Sequence, residues 1–490
     1  MSKNSFARIL CALLSGIMLF TTIACAEKTD DDPGETKSQQ ETSADTEETD
    51  PRLAVSDGIP DGLTYGGKDF VTVVQEDHMI DIYVEIATGD IVEDRVFNRN
   101  SEISERFDIK IVEPVNALYT DLTTKIRNMV NSQDDGYDLV LQHAVESGLN
   151  AFNGYFGNWH DVQYMDFTQP WYPQITVENL TLNGKMFVAI SDIAVTAIGN
   201  TYCMFFDKVY AENQNIHGIY DLVENGQWTI DKQIEITKGI YEDKNGNGRS
   251  DKEDFFGFLT SDRSPTVTYL WAFDDPIFVI TDDNDVELTF NNEKSVDIVD
   301  KLREYYWNTE GSHVEHDHGA QIDLFANGHG IFANGIFRDS ELSFRDYDND
   351  FGIIPYPKWD EKQESYLTMV DGNFSVIAYL SVEQEPEFVG AITHALGCYS
   401  YKYLVPEYYD VALKVKNTRD EESIAILDML MQNRSMDFPY IYDCWKGFVF
   451  KFEALLYENS KTKFSSFYKS NERAALKHYQ SIIELFGSAE

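Results

Sequence analysis

Cysteine is scarce in this sequence, with five residues in a chain of 490. Beyond the N-terminal region only Cys203, Cys398 and Cys444 remain, and no close CxxC pair provides the spacing of a zinc site. An odd number leaves at least one thiol unpaired. We therefore predict buried free thiols, with a Cys398–Cys444 disulfide as the alternative.

Basic residues are also few. The chain has 39 lysines and arginines against 84 aspartates and glutamates, which gives a formal net charge of −45. A phosphate backbone repels such a surface, so the charge excludes nucleic acid as a partner. Taken alone, acidity on this scale indicates solubility.

Catalytic signatures are absent from the sequence. There is no GxSxG elbow, HExxH helix, Walker loop or dinucleotide-type GxGxxG, and "GHGIFANG" has the wrong spacing for a phosphate-binding loop. Carboxylates are so numerous that a glycosidase-like pair could be chosen by chance. The sequence thus favours a protein that is not an enzyme, and a secreted polysaccharide hydrolase is the alternative.

The N-terminus has the pattern of an export signal. Lys3 and Arg8 precede the apolar run "ILCALLSGIMLFTTIAC", which ends in small residues and is too short for a stable transmembrane helix. "TTIAC" resembles a bacterial lipobox, so we predict that residues 1–24 are removed and that Cys25 is lipidated. An ordinary cleaved signal with an incidental cysteine is the alternative. The expected location is the extracellular face of the cell membrane.

Residues 25–64 are predicted to form a disordered acidic linker. "AEKTDDDPGETKSQQETSADTEETDP" has no aromatic residue and too little apolar surface to order itself. Repulsion between its carboxylates should keep it extended. A lipid anchor with such a tether would hold a globular body some distance from a membrane.

After the linker, the pattern predicts a parallel sheet with helices on its faces. "FVTVV", "DIKIV" and "YDLVLQ" have strand patterns, and "EDRVFNRNSEISERF" and "LYTDLTTKIRNMVNS" have helical spacing between them. Ligands bind beyond the carboxyl ends of such strands. Those ends are predicted at Gln75–Asp77 and Gln142–His143.

The remainder of the chain also alternates between strand and helix patterns. "MFVAIS", "YCMFF", "FFGFLT", "FGIIPYP" and "NFSVIAYL" predict strands, and Thr229 could cap a helix in "WTIDKQIEITKGIYE". Near the C-terminus "EESIAILDMLMQNR", "CWKGFVFKFEALLYE" and "NERAALKHYQSIIELF" predict helices. No internal repeat is present, and two α/β lobes account for the pattern.

The stretch "DKNGNGRSDKED" has the spacing of a twelve-residue calcium loop, with Gly248 at the sharp turn. The expected ligands of a structural Ca²⁺ are Asp243, Asn245, Asn247, the carbonyl of Arg249, Asp251 through a water, and Asp254. Asp254 is shorter than the usual glutamate, and only one such loop exists. An unmetallated turn rich in asparagine, aspartate and glycine is the alternative.

"SHVEHDHG" brings three histidines, His313, His316 and His318, into one short polar stretch. Imidazole clusters bind zinc or copper. The alternative is a solvent-exposed loop in which the histidines are incidental.

The order of several segments resembles a known family. "NGKMFVAISD", "DKNGNGRSDKEDFFGF", "LFANGHGIFANG", "FGIIPYPKWD" and "NFSVIAYL" together resemble bacterial extracellular solute-binding proteins of family 1. These are relatives of maltose-binding protein that serve ABC importers. The resemblance implies a periplasmic-binding-protein type II fold, in which two α/β lobes joined by crossover strands close on a ligand like a hinge.

By this resemblance, residues 65–203 and 366–412 form the first lobe, and residues 204–365 and 413–490 form the second. The crossings would fall near Tyr202–Phe206, near Met369–Ser375 and around Val411–Lys416. The expected partners are a small solute and the permease subunits of an ABC transporter.

Aromatic residues make up 13% of the chain and suggest a saccharide ligand, because aromatic faces bind the C–H faces of sugars. The resemblance favours Trp271, Phe337 and Asp371 as ligand-binding residues. The strand-end rule adds Gln142 and His143, and "YMDFTQPWY" adds Tyr164 and Trp171 at the rim of the first lobe. The prediction is a lipid-anchored receptor that delivers an oligosaccharide to a permease. A peptide or polar metabolite as ligand, and a surface adhesion protein using the calcium loop, are alternatives.

Overall fold

The structure is a computed structural model, and it describes residues 50–281, 286–408, 421–436 and 438–487. The predicted signal peptide, the lipidation site Cys25 and the linker up to residue 49 lie outside the described residues. So does the predicted crossing at Val411–Lys416. Among the described residues, no helix is both long enough and apolar enough to cross a membrane.

Strands and helices alternate along the described chain. In chain order the strands are β1 (Lys68–Phe70), β2 (Thr72–Gln75), β3 (Ile109–Ile111), β4 (Val115–Ala117), β5 (Leu139–His143), β6 (Tyr202–Asp207), β7 (Tyr241–Glu242), β8 (Phe255–Ser261), β9 (Phe278–Ile280), β10 (Val286–Leu288), β11 (Ser312–Glu315), β12 (Gly330–Ile336), β13 (Phe351–Ile354), β14 (Thr368–Met369), β15 (Ser375–Ala378) and β16 (Arg434–Ser435). The α-helices are α1 (Ile91–Phe107), α2 (Tyr119–Asn131), α3 (Ala144–Phe152), α4 (Gln174–Leu180), α5 (Val195–Gly199), α6 (Lys208–Asn213), α7 (Ile219–Glu224), α8 (Ile230–Thr237), α9 (Ser264–Ala272), α10 (Glu293–Trp307), α11 (Ala320–Ala326), α12 (Phe337–Leu342), α13 (Pro386–Tyr399), α14 (Glu421–Gln432), α15 (Phe438–Tyr442) and α16 (Phe464–Phe486).

Two sheets organise the two lobes. The first lobe has the order β15-β5-β2-β4, in which β5, β2 and β4 are parallel and β15 is antiparallel. The second lobe has the order β11-β8-β12-β6-β13, with β7 also paired to β8. In this sheet β11, β8 and β12 are parallel, whereas β6 and β13 run against their neighbours. The predicted two-lobed α/β fold is confirmed.

The chain passes between the two sheets at neighbouring points. Thr201, which precedes β6, forms an antiparallel bridge with Val370, which follows β14. Parallel pairing of β14 with β16 brings a third segment alongside them. These segments connect the lobes, and Asp371 follows directly after the second of them.

Local chemistry sets several helix boundaries. The Asp90 carboxylate caps α1 by accepting from the N–H groups of Val92 and Glu93, and α1 ends where Asp108 takes a left-handed φ of 48°. The hydroxyl of Thr229 accepts from the N–H of Lys232 and caps α8, as the sequence predicted.

Three local predictions were wrong. "FVTVV" is not one strand, because the chain changes partners at Val71: β1 pairs with β3, and β2 pairs with β4 and β5. "MFVAIS" forms a single bridge between Ala189 and Ile377 in place of a strand. "CWKGFVFKFEALLYE" forms two short 3-10 turns, Val449–Lys451 and Glu453–Leu455.

The cysteines of the body are free and buried. Cys203, Cys398 and Cys444 all lack a disulfide partner among the described residues, and the alternative Cys398–Cys444 bond does not form. The prediction of buried free thiols is confirmed.

Candidate functional site

The carboxyl end of β2 carries a hydrogen-bonded group of polar side chains. The Gln75 amide nitrogen donates to Oδ1 of Asp77 at 2.6 Å and to Oδ1 of Asn373 at 3.1 Å. His78 lies 3.1 Å from the same Asn373 oxygen and 3.1 Å from the hydroxyl of Ser375. Gln75 is 1% exposed, yet its own Oε1 has no hydrogen-bond partner among the described residues. A buried acceptor in this state is suited to a donor on a ligand or a water.

Hydrogen bonds of the buried Asp81 hold the turn that follows β2. Asp81 accepts from the N–H and hydroxyl of Thr196 at 2.8 and 2.7 Å. Its backbone carbonyl accepts from the fully buried Arg99 at 2.8 Å. Burial raises the pKa of Asp81, although its hydrogen bonds and His78 act in the opposite direction. These contacts hold the turn after β2 in place.

His143 ends β5 beside this group. Burial lowers its pKa to about 4, so its imidazole is neutral at pH 7. The Nδ1 atom is buried and has no hydrogen-bond partner among the described residues. The ring lies 5.3 Å from that of Tyr119, which begins α2 after β4 and is 42% exposed. Two strand ends of the first lobe therefore each offer an unpaired polar atom.

Asp371 connects the two lobes through its carboxylate. Its Oδ2 accepts from the hydroxyl of Tyr202 at 2.7 Å, and its Oδ1 accepts from the N–H of Asn373 at 3.1 Å. Nε2 of His318, from the loop after β11, lies 4.0 Å from Oδ2. Burial alone would raise the pKa of Asp371, but His318 and these hydrogen bonds lower it below the ordinary value. Asp371 in turn raises the pKa of His318.

An aromatic group lies next to this polar group. The indole of Trp445 is 55% exposed and packs 4.3 Å from the ring of Phe450, and its Nε1 donates to Oε1 of Glu146 at 3.3 Å. Phe450 also lies 5.4 Å from the ring of Tyr440. A Cβ built on Gly372 would lie 2.8 Å from the Tyr440 hydroxyl and 3.3 Å from Cε1 of His143. Gly372 thus permits the close approach that joins the aromatic and polar groups.

The backbone at Trp445 is strained. Cys444 and Trp445 have φ values of 47° and 61°, in the left-handed region that non-glycine residues rarely adopt. Strain of this kind persists only when the surrounding structure enforces it. Here it orients an indole outward next to the buried Cys444.

The second lobe contributes a fixed cation after β8. Arg263 donates through Nε to the carbonyl of His316 at 2.9 Å and through Nη1 to the Tyr457 hydroxyl at 2.8 Å. Nη1 also lies 3.4 Å from Oε1 of Glu453. Nδ1 of His316 lies 3.0 Å from Oδ1 of the buried Asp262. The strand ends of this lobe are therefore polar and already internally paired.

The other predicted ligand residues form no hydrogen bond with this group among the described residues. Gln142 is buried, donates to Thr123 at 3.0 Å and accepts from Asn150 at 2.7 Å. Trp171 and Phe337 are fully buried, and Trp171 packs 4.9 Å from the ring of His394. In this conformation they are core residues with no open face. Tyr164 is half-buried, with a φ of 70°.

Trp271 stands between the candidate site and a separate cavity. It is 9% exposed, and its ring lies edge-on to Tyr440 at 5.4 Å. It also lines a cavity of about 500 Å³ together with residues of α4, β9 and α15. Neither His143 nor Asp371 lines this cavity.

The loop Asp243–Asp254 is closed by its own hydrogen bonds. The Asp243 carboxylate accepts from the N–H groups of Gly246 and Gly248 at 2.7 and 2.8 Å. Asp254 accepts from the N–H of Asp251 at 3.0 Å and from the hydroxyl of Tyr241 at 2.9 Å. The further predicted ligands are also engaged: Asn245 and Asn247 donate to Asp251, and the Arg249 carbonyl accepts from Tyr241. Side-chain oxygens meet at one turn, but most of them already accept a protein donor.

The three clustered histidines have separate partners. His313 pairs with Glu315 at 2.8 Å, His316 with Asp262, and His318 with Asp371. Within the described ranges, no three side chains from histidine, cysteine, aspartate and glutamate converge as a metal site would require. The histidines therefore act as individual hydrogen-bonding groups.

No protein-family model matches this chain, and no curated protein matches its sequence. Solved structures do resemble it. An ABC substrate-binding protein from Listeria monocytogenes in complex with cycloalternan has 15% identity and a TM-score of 0.52, with 86% of this chain and 100% of that chain covered. A cyclo/maltodextrin-binding protein complexed with maltotetraose has 12% identity and a TM-score of 0.53, with 86% and 97% covered.

An ABC transporter solute-binding protein from Agrobacterium radiobacter in complex with ribitol has 13% identity and a TM-score of 0.54, with 84% of this chain and 99% of that chain covered. At these identities the likeness concerns the fold. It extends over nearly the full length of each neighbour, so both lobes and their connections are shared. The chain therefore has the two-lobed fold of ABC solute-binding proteins.

Proposed function

We propose that this protein binds a small solute between its lobes and does not alter it chemically. The observation that carries the proposal is the unpaired polar atoms, Oε1 of Gln75 and Nδ1 of His143, at two strand ends. An exposed indole lies close by. Ligands bind beyond strand ends in α/β folds, and the neighbours named above carry sugars or a polyol in this fold.

The proposed ligand is an oligosaccharide. Sugar C–H faces would stack on Trp445 and Tyr119, and sugar hydroxyls would bond the free atoms of Gln75 and His143. Asp371 and His143, predicted from the sequence, lie in this group. Trp271 would support it from behind through Tyr440, since its own surface is largely buried.

Domain movement would complete the site. Tyr202, Asp371 and His318 join the lobes at the crossing, so closure would change few contacts there while bringing Arg263 and the strand ends together. A ligand that contacts both lobes binds the closed form more tightly than the open form, and this difference is what shifts the equilibrium.

We further propose that the protein is attached to the outer face of the cell membrane through Cys25 and delivers its ligand to an ABC permease. The lipobox-like "TTIAC" and the acidic linker support this proposal. Radiolabelled palmitate should be incorporated into the native chain and not into Cys25→Ser. Equal labelling of both chains would contradict the anchor.

We propose that the loop Asp243–Asp254 holds a structural Ca²⁺. Its spacing and the turn at Gly248 support the proposal. To coordinate the ion, Asp251 would have to release the amides of Asn245 and Asn247. A melting temperature that falls in the presence of a chelator and recovers with added Ca²⁺ is the expected result, and an unchanged melt would contradict metal binding.

The function is tested by titrating the purified protein with maltotetraose, cycloalternan and ribitol by calorimetry. We expect saturable binding heat with at least one saccharide. We also expect that saccharide to be recovered chemically unchanged after the titration. Saccharide recovered as shorter products would indicate a hydrolase. The absence of binding across a broad panel of saccharides would contradict the sugar proposal.

A further inference from the structure

The C-terminal part of this acidic protein reverses the charge of the rest. Between residues 446 and 477 there are seven basic and three acidic residues, whereas the whole chain has a net charge of −45. The basic residues are Lys446, Lys451, Lys461, Lys463, Lys469, Arg473 and Lys477. Solubility does not require this reversal, because the protein is already highly charged.

Helix α16 concentrates part of this charge on one face. Lys469, Arg473 and Lys477 are spaced four residues apart and are all exposed. Like charges at this spacing destabilise a helix by a few tenths of a kcal/mol per pair. Among the described residues none of the three forms an ion pair that would offset this cost.

A groove lies at the end of this stripe. It has a volume of about 470 Å³, and Lys446, Lys451 and Lys477 line it with Phe152 and His478. The Lys446 ammonium lies 5.5 Å from the centre of the Phe152 ring, and that of Lys451 donates to the Lys446 carbonyl at 2.9 Å. Neither ammonium has a carboxylate partner in the described chain. The groove thus offers several cations to an anionic group.

We propose that this basic face, formed by α16 and the groove beside it, docks on an anionic lipid surface. Lys469, Arg473 and Lys477 lie on the outward face of a helix. This convex face can contact the flat surface of a bilayer, whereas it does not enclose a small ligand. With Lys446 and Lys451 of the groove, the face has five basic residues, and clusters of four to eight basic residues are attracted to anionic bilayers. The groove would accommodate a phosphate headgroup. Trp445 of the proposed solute site also lines this groove, and the docking proposal rests on the basic side chains and not on that indole.

Vesicles of a zwitterionic lipid, with and without an anionic phosphoglyceride, provide the test. The full chain is used, and its apolar N-terminal run contributes to both kinds of vesicle, so the measured quantity is the difference in partition between them. Each basic side chain near an anionic surface is expected to contribute about fivefold. The Lys469→Gln/Arg473→Gln/Lys477→Gln variant should therefore lose roughly a hundredfold of that difference.

A matched variant, Lys110→Gln/Arg127→Gln/Lys362→Gln, removes the same charges at exposed positions elsewhere. It should retain most of the preference for anionic vesicles. Circular dichroism melts establish that both variants fold. Should the α16 variant be unstable, raising the salt concentration on the unaltered chain should abolish the preference.

Three results would overturn the proposal. One is equal partition of the unaltered chain into both kinds of vesicle at low salt. Another is an equal loss of preference in the two variants. Binding of the basic face to polyglutamate in preference to anionic vesicles would also overturn it, because the partner would then be an acidic polypeptide.

Discussion

Replacing Trp445 by alanine tests the aromatic part of the proposed site. An indole side chain presents roughly 150–250 Å² of surface, and that of Trp445 is 55% exposed, which leaves about 100 Å² open. A saccharide that covers about 60 Å² of it gains about 1.5 kcal/mol at roughly 25 cal/mol per Å². Trp445→Ala should therefore weaken binding by about tenfold.

Trp445→Phe distinguishes the contribution of the stacking surface from that of the hydrogen bond to Glu146. Phenylalanine keeps most of the stacking surface but loses the hydrogen bond from Nε1 to Glu146. Its dissociation constant should lie between those of the native protein and Trp445→Ala. Tyr403→Ala, which removes another exposed aromatic residue, is the matched control and should leave affinity unchanged.

Calorimetry with the tightest-binding saccharide of the panel measures these constants, and thermal melts show whether folding is affected. Because Trp445 is mostly exposed, its removal should change the melting temperature little. An unchanged dissociation constant for Trp445→Ala would refute the placement of the site. An equal loss for Tyr403→Ala would refute the argument from stacking area.

Further predictions follow from individual side chains. The pKa of His143 is about 4 in the folded protein and about 6.5 in the unfolded chain. Between pH 6.5 and pH 4 the unfolded chain therefore binds a proton that the folded protein does not. Lowering the pH through this range should reduce the free energy of unfolding by up to about 3 kcal/mol. His143→Gln should flatten the dependence of melting temperature on pH in this window, and an unchanged slope would contradict the burial argument. Burial raises the pKa of Cys398 to about 11 and that of Cys444 to about 12. Both thiols should therefore resist alkylation at neutral pH until the protein is denatured. Rapid labelling of the native protein would contradict their burial. Asp254→Asn should lower the melting temperature because that carboxylate accepts from Lys244, Asp251 and Tyr241. If Ca²⁺ is bound, the same variant should also abolish the chelator effect, whereas a chelator effect of full size in Asp254→Asn would contradict its role as a ligand.

The sequence predicted the fold well because the fold depends on repeating patterns. Short apolar runs predicted β2 and β5. The strand-end rule then selected Gln142 and His143 as ligand residues and gave Gln75 as the end of β2, and of these Gln75 and His143 have the unpaired buried atoms. The "FVTVV" strand failed at Val71, where a contact with Asp138, distant in the sequence, divides it. Such long-range contacts have no local signal.

The site was predicted less completely than the fold. Aromatic residues are easy to count, but the sequence did not distinguish the exposed Trp445 from the buried Trp171 and Phe337. Trp445 follows a cysteine in a segment with helical spacing, and its left-handed backbone was not foreseeable from that pattern. His318 was noticed only as part of a histidine cluster, because its contact with Asp371 comes from the meeting of the two lobes.

Hydrogen exchange with and without bound saccharide measures whether the ligand binds between the lobes. We expect slower amide exchange in both lobes at once, at residues 75–78, 143–146, 371–373 and 444–446. Protection confined to residues 274–280, which line the separate cavity, would contradict it.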